Sequence, residues 1–243
     1  MWWTIGIIAI IAAVVITIAI CVVIIVVCLN ASPARGDYGD GGGTQVGGTE
    51  DVPFFIPANE RAGMQGEKRV NYHLRPLLQK DEYLLANVLL PLKNGFKAEI
   101  DCILISRKGI FCVETKNWVG HVRGNDEDEY WVQKYDDPYK RDKEHKNPIK
   151  QNEAHCAILE RKLNNKYYVE NIVIFVELEN VFGLDSEHAF TIMQFKEYYR
   201  MKNTNIVPET SLATIYQTLM PYVASPEELV KHREEIRKRF NND

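Results

Sequence analysis

From Trp2 to Leu29 the chain carries no charged residue and is dominated by Ile, Val and Ala. Beyond Leu29 it breaks into short apolar segments separated by turn-forming clusters. Roughly 20 apolar residues suffice to cross a bilayer as a helix, so residues 2–29 are predicted to form a single transmembrane helix, with Trp2 and Trp3 in the aromatic belt. A cleaved signal peptide fits less well, because it needs a basic leader, an apolar core of about 7–15 residues and a small-residue cleavage site. Residues 30–58 are rich in Gly, Asp and Pro, include the run Asp40-Gly41-Gly42-Gly43 and lack apolar periodicity. That composition predicts a flexible linker. Residues 59–243 are long enough for one domain with a sizeable core.

Within that domain the periodicity predicts a helix from Asn59 to Leu78, ended or kinked by Pro76, whose Gly63 and Gly66 suggest close backbone approach. A strand from Tyr83 to Leu92 follows, then a hairpin, short strands at Gly120–Arg123 and Tyr130–Tyr135, and a helix from Pro148 to Leu163 capped by Asn147. The stripe expected to bury that helix is Ile149, Ala154, Ala157, Ile158 and Leu163. Ile172–Leu178 reads as a buried strand, and the tail as helices at Gln194–Met201, Glu209–Val223 and Pro226–Phe240. The expected class is α/β, with a mixed central sheet flanked by helices.

The hairpin carries the candidate chemistry. In Lys97–Trp118, apolar segments Ile100–Ile105 and Ile110–Val113 are separated by Ser106-Arg107-Lys108-Gly109, a turn-type cluster. A two-residue loop at Arg107-Lys108 sets Ile105 against Ile110, Ile103 against Cys112, Asp101 against Glu114 and Glu99 against Lys116. Side chains alternate along a strand, so Glu99, Asp101, Glu114 and Lys116 are expected on one face. A loop at Lys108-Gly109 keeps Asp101 and Glu114 on that face as diagonal neighbours.

Two carboxylates about 5 Å apart repel unless a cation sits between them. A hard divalent ion such as Mg²⁺ takes oxygen ligands and needs one or two carboxylates from the protein. Lys116 is then placed to position or deprotonate an attacking water, or to stabilise charge on a phosphate. The plainer reading is an exposed strand face whose acids and lysines pair across the ladder.

An Asp in an apolar strand, a turn, and Glu-x-Lys closing the next strand together resemble the PD-(D/E)xK nuclease core. Glu99-Ile100-Asp101, then Lys108–Gly120 (KGIFCVETKNWVG), Trp131 and Asn147-Pro148-Ile149-Lys150-Gln151 more closely resemble the nuclease-related domain family, called NERD. Upstream, Gly63–Val70 (GMQGEKRV) is similar to the GxxGE-type helix that opens that domain, so the likeness runs over residues 59–179. By position, the resemblance implies that Asp101 and Glu114 bind metal, that Lys116 is the core lysine, that Glu67 is the acid of the first helix and that Gln151 lies near the site. It implies a restriction-endonuclease-like fold, a Mg²⁺ or Mn²⁺ cofactor and DNA or RNA as substrate. Cys102 departs from the His found in many relatives, but its side chain is expected on the opposite face. The fold also hosts binding proteins, so a catalytically silent module tethered to the membrane stays open as the alternative.

Composition trims these expectations. The formal net charge of −4 gives no global basic field for nucleic acid. Lys134, Lys140, Arg141, Lys143, Lys146 and Lys150, with Tyr135 and Tyr139 interleaved, form a basic stretch diluted by Asp136, Asp137, Asp142 and Glu144. Cys102, Cys112 and Cys156 do not form a disulfide framework or zinc spacing. His145 and His155, beside the Gln151 helix, read as ordinary surface or core histidines. Arg35 alone flanks the span, which leans towards a cytoplasmic domain on a single-pass membrane protein.

Overall fold

The computed structural model describes residues 58–240; the expected span and nearly all of the expected linker lie outside them. Among the described residues no helix is long and apolar enough to cross a membrane. Helix α1 (Ala58–Leu74) ends in a 3-10 turn, Arg75–Leu77, where Pro76 removes a backbone donor. Gly66 meets the expectation of close approach, since a Cβ there would lie 3.4 Å from both Asn117 Cβ and Val176 Cγ2.

Strands β1 (Tyr83–Pro91), β2 (Lys97–Ser106) and β3 (Gly109–Lys116) form an antiparallel meander. Strands β4 (His121–Asn125), β5 (Tyr130–Lys134) and β6 (Lys143–Lys146) build a side sheet. Helix α2 (Pro148–Lys162) returns the chain to β7 (Val169–Phe175), which lies parallel to β3. Short strands β8 (Leu184–Asp185) and β9 (Ala189–Thr191) precede helices α3 (Ile192–Met201), α4 (Glu209–Leu219) and α5 (Pro226–Phe240). The main sheet is ordered β1-β2-β3-β7-β9 and the side sheet β6-β5-β4-β8. The domain is thus α/β, with mixed sheets flanked by helices.

Helices cover both faces of the main sheet. On one, Cys156, Leu159 and Leu163 of the α2 segment and Leu212, Ile215 and Leu219 of α4 pack on Ile103, Ile105, Ile110 and Cys112. On the other, Val70 and Leu74 of α1 and Phe195 and Tyr199 of α3 pack on Cys102, Leu104, Phe111 and Val113. Strand β7 is buried throughout, as a strand covered on both faces should be. It starts three residues earlier than its apolar run, because Glu170 and Asn171 also pair with β3.

Two expectations need correction. The buried side chains of α2 are Pro148, Ile149, Asn152, Cys156 and Leu159 rather than the stripe through Ala154 and Ala157. Asn152 holds that face because its amide donates to Cys112 O at 2.9 Å and to Asn171 Oδ1 at 2.7 Å, satisfying a polar group that periodicity assigns to the surface. The basic stretch from Lys134 to Lys150, for which no strand is expected between Tyr135 and Pro148, contains the edge strand β6 at Lys143–Lys146, formed by backbone pairing with β5 rather than by any apolar alternation.

Candidate functional site

The turn end of the hairpin follows the expected register: Ser106 pairs with Gly109, Ile105 with Ile110 and Ile103 with Cys112. Pairing stops at Cys102 with Val113. Beyond it β3 stays with β7 through Lys116, so β2 and β3 part as a fork. Asp101 stands in that fork, its Oδ2 accepting the Thr115 backbone N–H at 2.8 Å. The expected facing pairs Asp101–Glu114 and Glu99–Lys116 do not form.

The fork continues a distortion between β1 and β2. Their register runs through Ala86–Cys102 and Val88–Ile100 but omits Asn87 and Asp101. Asn87 has φ 55°, a left-handed conformation that Asn tolerates better than most residues. Its carbonyl accepts from Ala224 N at 2.9 Å, which ties the bend to the segment entering α5. Strand alternation breaks there. Leu85 and Val88, three apart, share one core with Ile100 and Ile103, also three apart. Residues two apart normally share a face, so the break turns Glu99 away from Lys116 and towards α1. The acids and the lysine therefore divide between two sides of the fork instead of sharing one face.

On the α1 side, one carboxylate oxygen each from Glu67, Glu99 and Asp101 lies within 4.8 Å of the others, all three residues being half-buried. On the α2 side, Lys116 Nζ donates to Glu114 Oε1 at 2.6 Å and to Gln151 Oε1 at 3.2 Å. Gln151 Nε2 donates to the same Glu114 oxygen at 3.1 Å. His155, one turn after Gln151, holds Nδ1 3.7 Å from Glu114 Oε2, too far for a hydrogen bond. The buried Thr115 Oγ1, Asn87 Oδ1 and His155 Nδ1 find no hydrogen-bond partner among the described residues. All five residues expected at the site, Asp101, Glu114, Lys116, Glu67 and Gln151, thus meet at the fork.

Crowding sets the electrostatics. Burial pushes the Asp101 carboxyl well above the usual carboxylate range, and the charges of Glu114 and Glu67 push it further against the Thr115 N–H and Lys116. Burial also raises Glu67, with Glu99 and Glu114 adding to it and Arg233 opposing. Burial lowers His155, and Lys116 adds to that while Glu114 opposes it. Three carboxylates this close are stabilised by a positive charge among them. Their all-oxygen donor set suits a hard divalent cation. Glu114 lies outside the tightest trio of oxygens, so the expected metal pair Asp101 and Glu114 straddles the two sides.

The structure brings to the site residues to which the family resemblance gave no role. Glu99 belongs to the acidic trio. His155 follows Gln151 by four residues, a spacing that signals a shared helix face. Arg233 of α5 carries no local sequence signal: its Nε donates to Glu99 Oε1 at 2.8 Å and a terminal nitrogen donates to Glu67 Oε1 at 2.9 Å. The scaffold explains the remaining motifs. Asn147 caps α2 by accepting from Ile149 N at 2.8 Å, while its amide donates to the carbonyls of Asn125, Asp126 and Asp128. Asn117, directly after Lys116, donates to Ala62 O at 3.1 Å and fixes α1 against the fork. Trp131 is fully buried and donates to Asn125 O at 2.7 Å.

A family model described as the nuclease-related domain matches residues 62–176. Those residues belong to the nuclease-related domain family. The matched stretch holds Glu67, Asp101, Glu114, Lys116 and Gln151; Arg233 lies past its end. An uncharacterized protein of Bacillus anthracis is 35% identical over 98 residues, which cover 40% of this chain and 45% of that protein. The match therefore spans less than half of that relative. No solved structure matches the chain.

Proposed function

We propose that this nuclease-related domain is a divalent-metal-dependent phosphodiesterase acting on DNA or RNA, with a restriction-endonuclease-like core carried on an N-terminal membrane anchor. The observation that carries the reading is the convergence of Asp101, Glu114, Lys116, Glu67 and Gln151 at the parting of β2 and β3. Asp101 and Glu114 would hold Mg²⁺ or Mn²⁺, with Glu67 as the outer acid. The cation supplies neutralisation of the phosphate and acidification of water.

This chain's own side chains do the positioning. Lys116, gripped by Glu114 and Gln151, keeps its ammonium at the mouth of the fork, where it orients the attacking water and meets charge growing on the phosphate. Gln151 holds both partners of that ion pair and so fixes their spacing. The water oxygen forms the new bond to phosphorus and gives up one proton to solvent as the bond to one sugar oxygen breaks, and the departing oxygen takes up a proton in turn. An intact acid and lysine set favours catalysis over a silent module, since a silent module has no need to hold this many half-buried charges together.

The deciding experiment offers the full-length protein single- and double-stranded DNA and RNA with Mg²⁺ or Mn²⁺, then removes the ion with a chelator. Cleavage that stops on chelation and returns with metal is the expected result. Intact substrates together with no detectable metal binding would transfer the reading to the tethered module. The anchor rests on the uncharged run Trp2–Leu29. Membrane fractions should retain the full chain and release a form lacking residues 1–29, and external protease should spare a cytoplasmic domain in intact cells.

A further inference from the structure

Helix α5 is well formed in itself. Ser225 and Glu228 exchange a reciprocal capping pair, with Glu228 N donating to Ser225 Oγ at 3.2 Å and Ser225 N donating to Glu228 Oε2 at 2.9 Å. Its attachment to the domain is another matter. Leu229 is its buried apolar side chain, and beyond it the helix is held by charge: Arg233 on Glu67 and Glu99, and Arg237 on Glu60. His232 Nε2 approaches Glu99 Oε2 at 3.9 Å. Between α5 and the β1–β2 turn lies an open cavity of about 330 Å³, lined by Phe96, Lys97, His232 and Ile236, and the Arg239 guanidinium stacks over the Phe96 ring at 4.1 Å. An element with little apolar burial opens at lower free energy than the core, although the pairs of Arg233 with Glu67 and Glu99 are half-buried, so their parting needs a replacement cation.

Two of the three acids that dock this helix, Glu67 and Glu99, are members of the oxygen trio. We infer that α5 is a latch on the metal site: Arg233 pairs with Glu67 and Glu99, two of the three acids of the trio, so docking of the helix and binding of a divalent ion at the trio compete. The inference rests on the metal-dependent reading of the site and keeps Asp101 as ligand, with Glu67 and Glu99 of the trio in place of Glu114 as its partners. One acidic pair cannot satisfy a guanidinium and a divalent ion at full strength, so each lowers the apparent affinity of the other by the same factor. The pivot is the Val223–Ser225 segment, which stays pinned to β1 through Ala224 N on Asn87 O and the bridge of Val223 with Val88. Because the trio takes part in both states, the domain's rest state is the latched, low-affinity one.

The test uses the full-length chain and Mn²⁺ alone. Calorimetric titration should show Arg233→Ala binding Mn²⁺ at least about fivefold more tightly than wild type, the lower bound of ordinary coupling between sites. Arg237→Ala, which loosens the helix without touching the trio, should shift affinity in the same direction by a smaller factor. Amide exchange in wild-type residues 226–240 should accelerate at saturating Mn²⁺. Unchanged or slowed exchange there would overturn the latch. So would tighter binding in Arg233→Ala with none in Arg237→Ala, which would make Arg233 a local counter-ion. Equal or weaker Mn²⁺ binding by Arg233→Ala likewise overturns it. Absence of Mn²⁺ binding by wild type and both variants would strike the metal-dependent reading itself.

Discussion

At its turn, the β2–β3 hairpin closes Ser106 against Gly109 with a side-chain hydrogen bond from Ser106 Oγ to Gly109 O at 3.1 Å, and buries Ile105 and Ile110 completely. Lys108 reaches across to the Tyr199 carbonyl at 2.7 Å, and Arg107 N donates to Glu82 at 3.0 Å. At the other end of the same two strands, pairing stops, Asp101 takes a backbone donor in place of a ladder partner, and Thr115 Oγ1 finds no partner among the described residues. One end spends its residues on packing and satisfied hydrogen bonds. The other gathers like charges in a half-buried fork. The difference lies in what fixes each end: packing and satisfied hydrogen bonds hold the closed end, while the open end keeps Glu67, Glu99, Asp101 and Glu114 together against their repulsion, offset by Arg233 and Lys116.

The contrast breaks first at the closed end. Ile110→Ala removes a fully buried side chain shared by two strands and should destabilise the domain by about 2–5 kcal/mol. Chemical denaturation measures it, and cleavage per folded molecule should stay near wild type. A loss below about 1 kcal/mol would mean that the closed end does not carry the hairpin.

At the open end the signs reverse. Lys116→Ala should slow phosphodiester cleavage about a hundredfold, roughly 2.7 kcal/mol of transition-state stabilisation, while changing stability by less than the Ile110 substitution. Lys116→Arg should rescue poorly, because a planar guanidinium cannot reproduce the compact ammonium between Glu114 and Gln151. Equal cleavage by wild type and Lys116→Ala would separate the lysine from the chemistry.

The closed end was legible in sequence and the open end only in part, for a physical reason. Apolar alternation and turn chemistry act locally, so they fix the register from Cys102 to Val113 and name Asp101, Glu114 and Lys116. The fork depends on Asn87, a residue on another strand whose left-handed φ has no unique signature, and that is why Glu99 was expected beside Lys116 and lies instead beside Glu67. Likewise α2 buries Asn152 because Cys112 O and Asn171 await it, partners invisible to a 3.6-residue period. Arg233 sits in a helix whose pattern reads as an ordinary charged surface. Its role comes from a contact 134 residues away in sequence, with Glu99.

The smallest expected change is also the most discriminating. Burial and the charges of Glu114 and Glu67 hold the Asp101 carboxyl well above its ordinary value of 3.8. Below that value the carboxyl is protonated in both the folded and the unfolded chain and contributes nothing. As pH rises past it, the unfolded chain releases its proton first while the folded chain keeps one, so the metal-free domain loses stability until the raised folded value is passed. Asp101→Asn removes this loss yet keeps an oxygen that can accept from Thr115 N. Without metal, its melting temperature at neutral pH should therefore exceed that of wild type by a modest margin, and the margin should vanish in acid. Saturating Mg²⁺ should invert the order, because only wild type gains the binding free energy, about 2.7 kcal/mol at a hundredfold excess over Kd. Thermal unfolding at several pH values, with and without Mg²⁺, measures both halves. A wild type that stays the more stable without metal at neutral pH would show that the fork is not a site of repulsion, and the contrast between the two ends of the hairpin would fall with it.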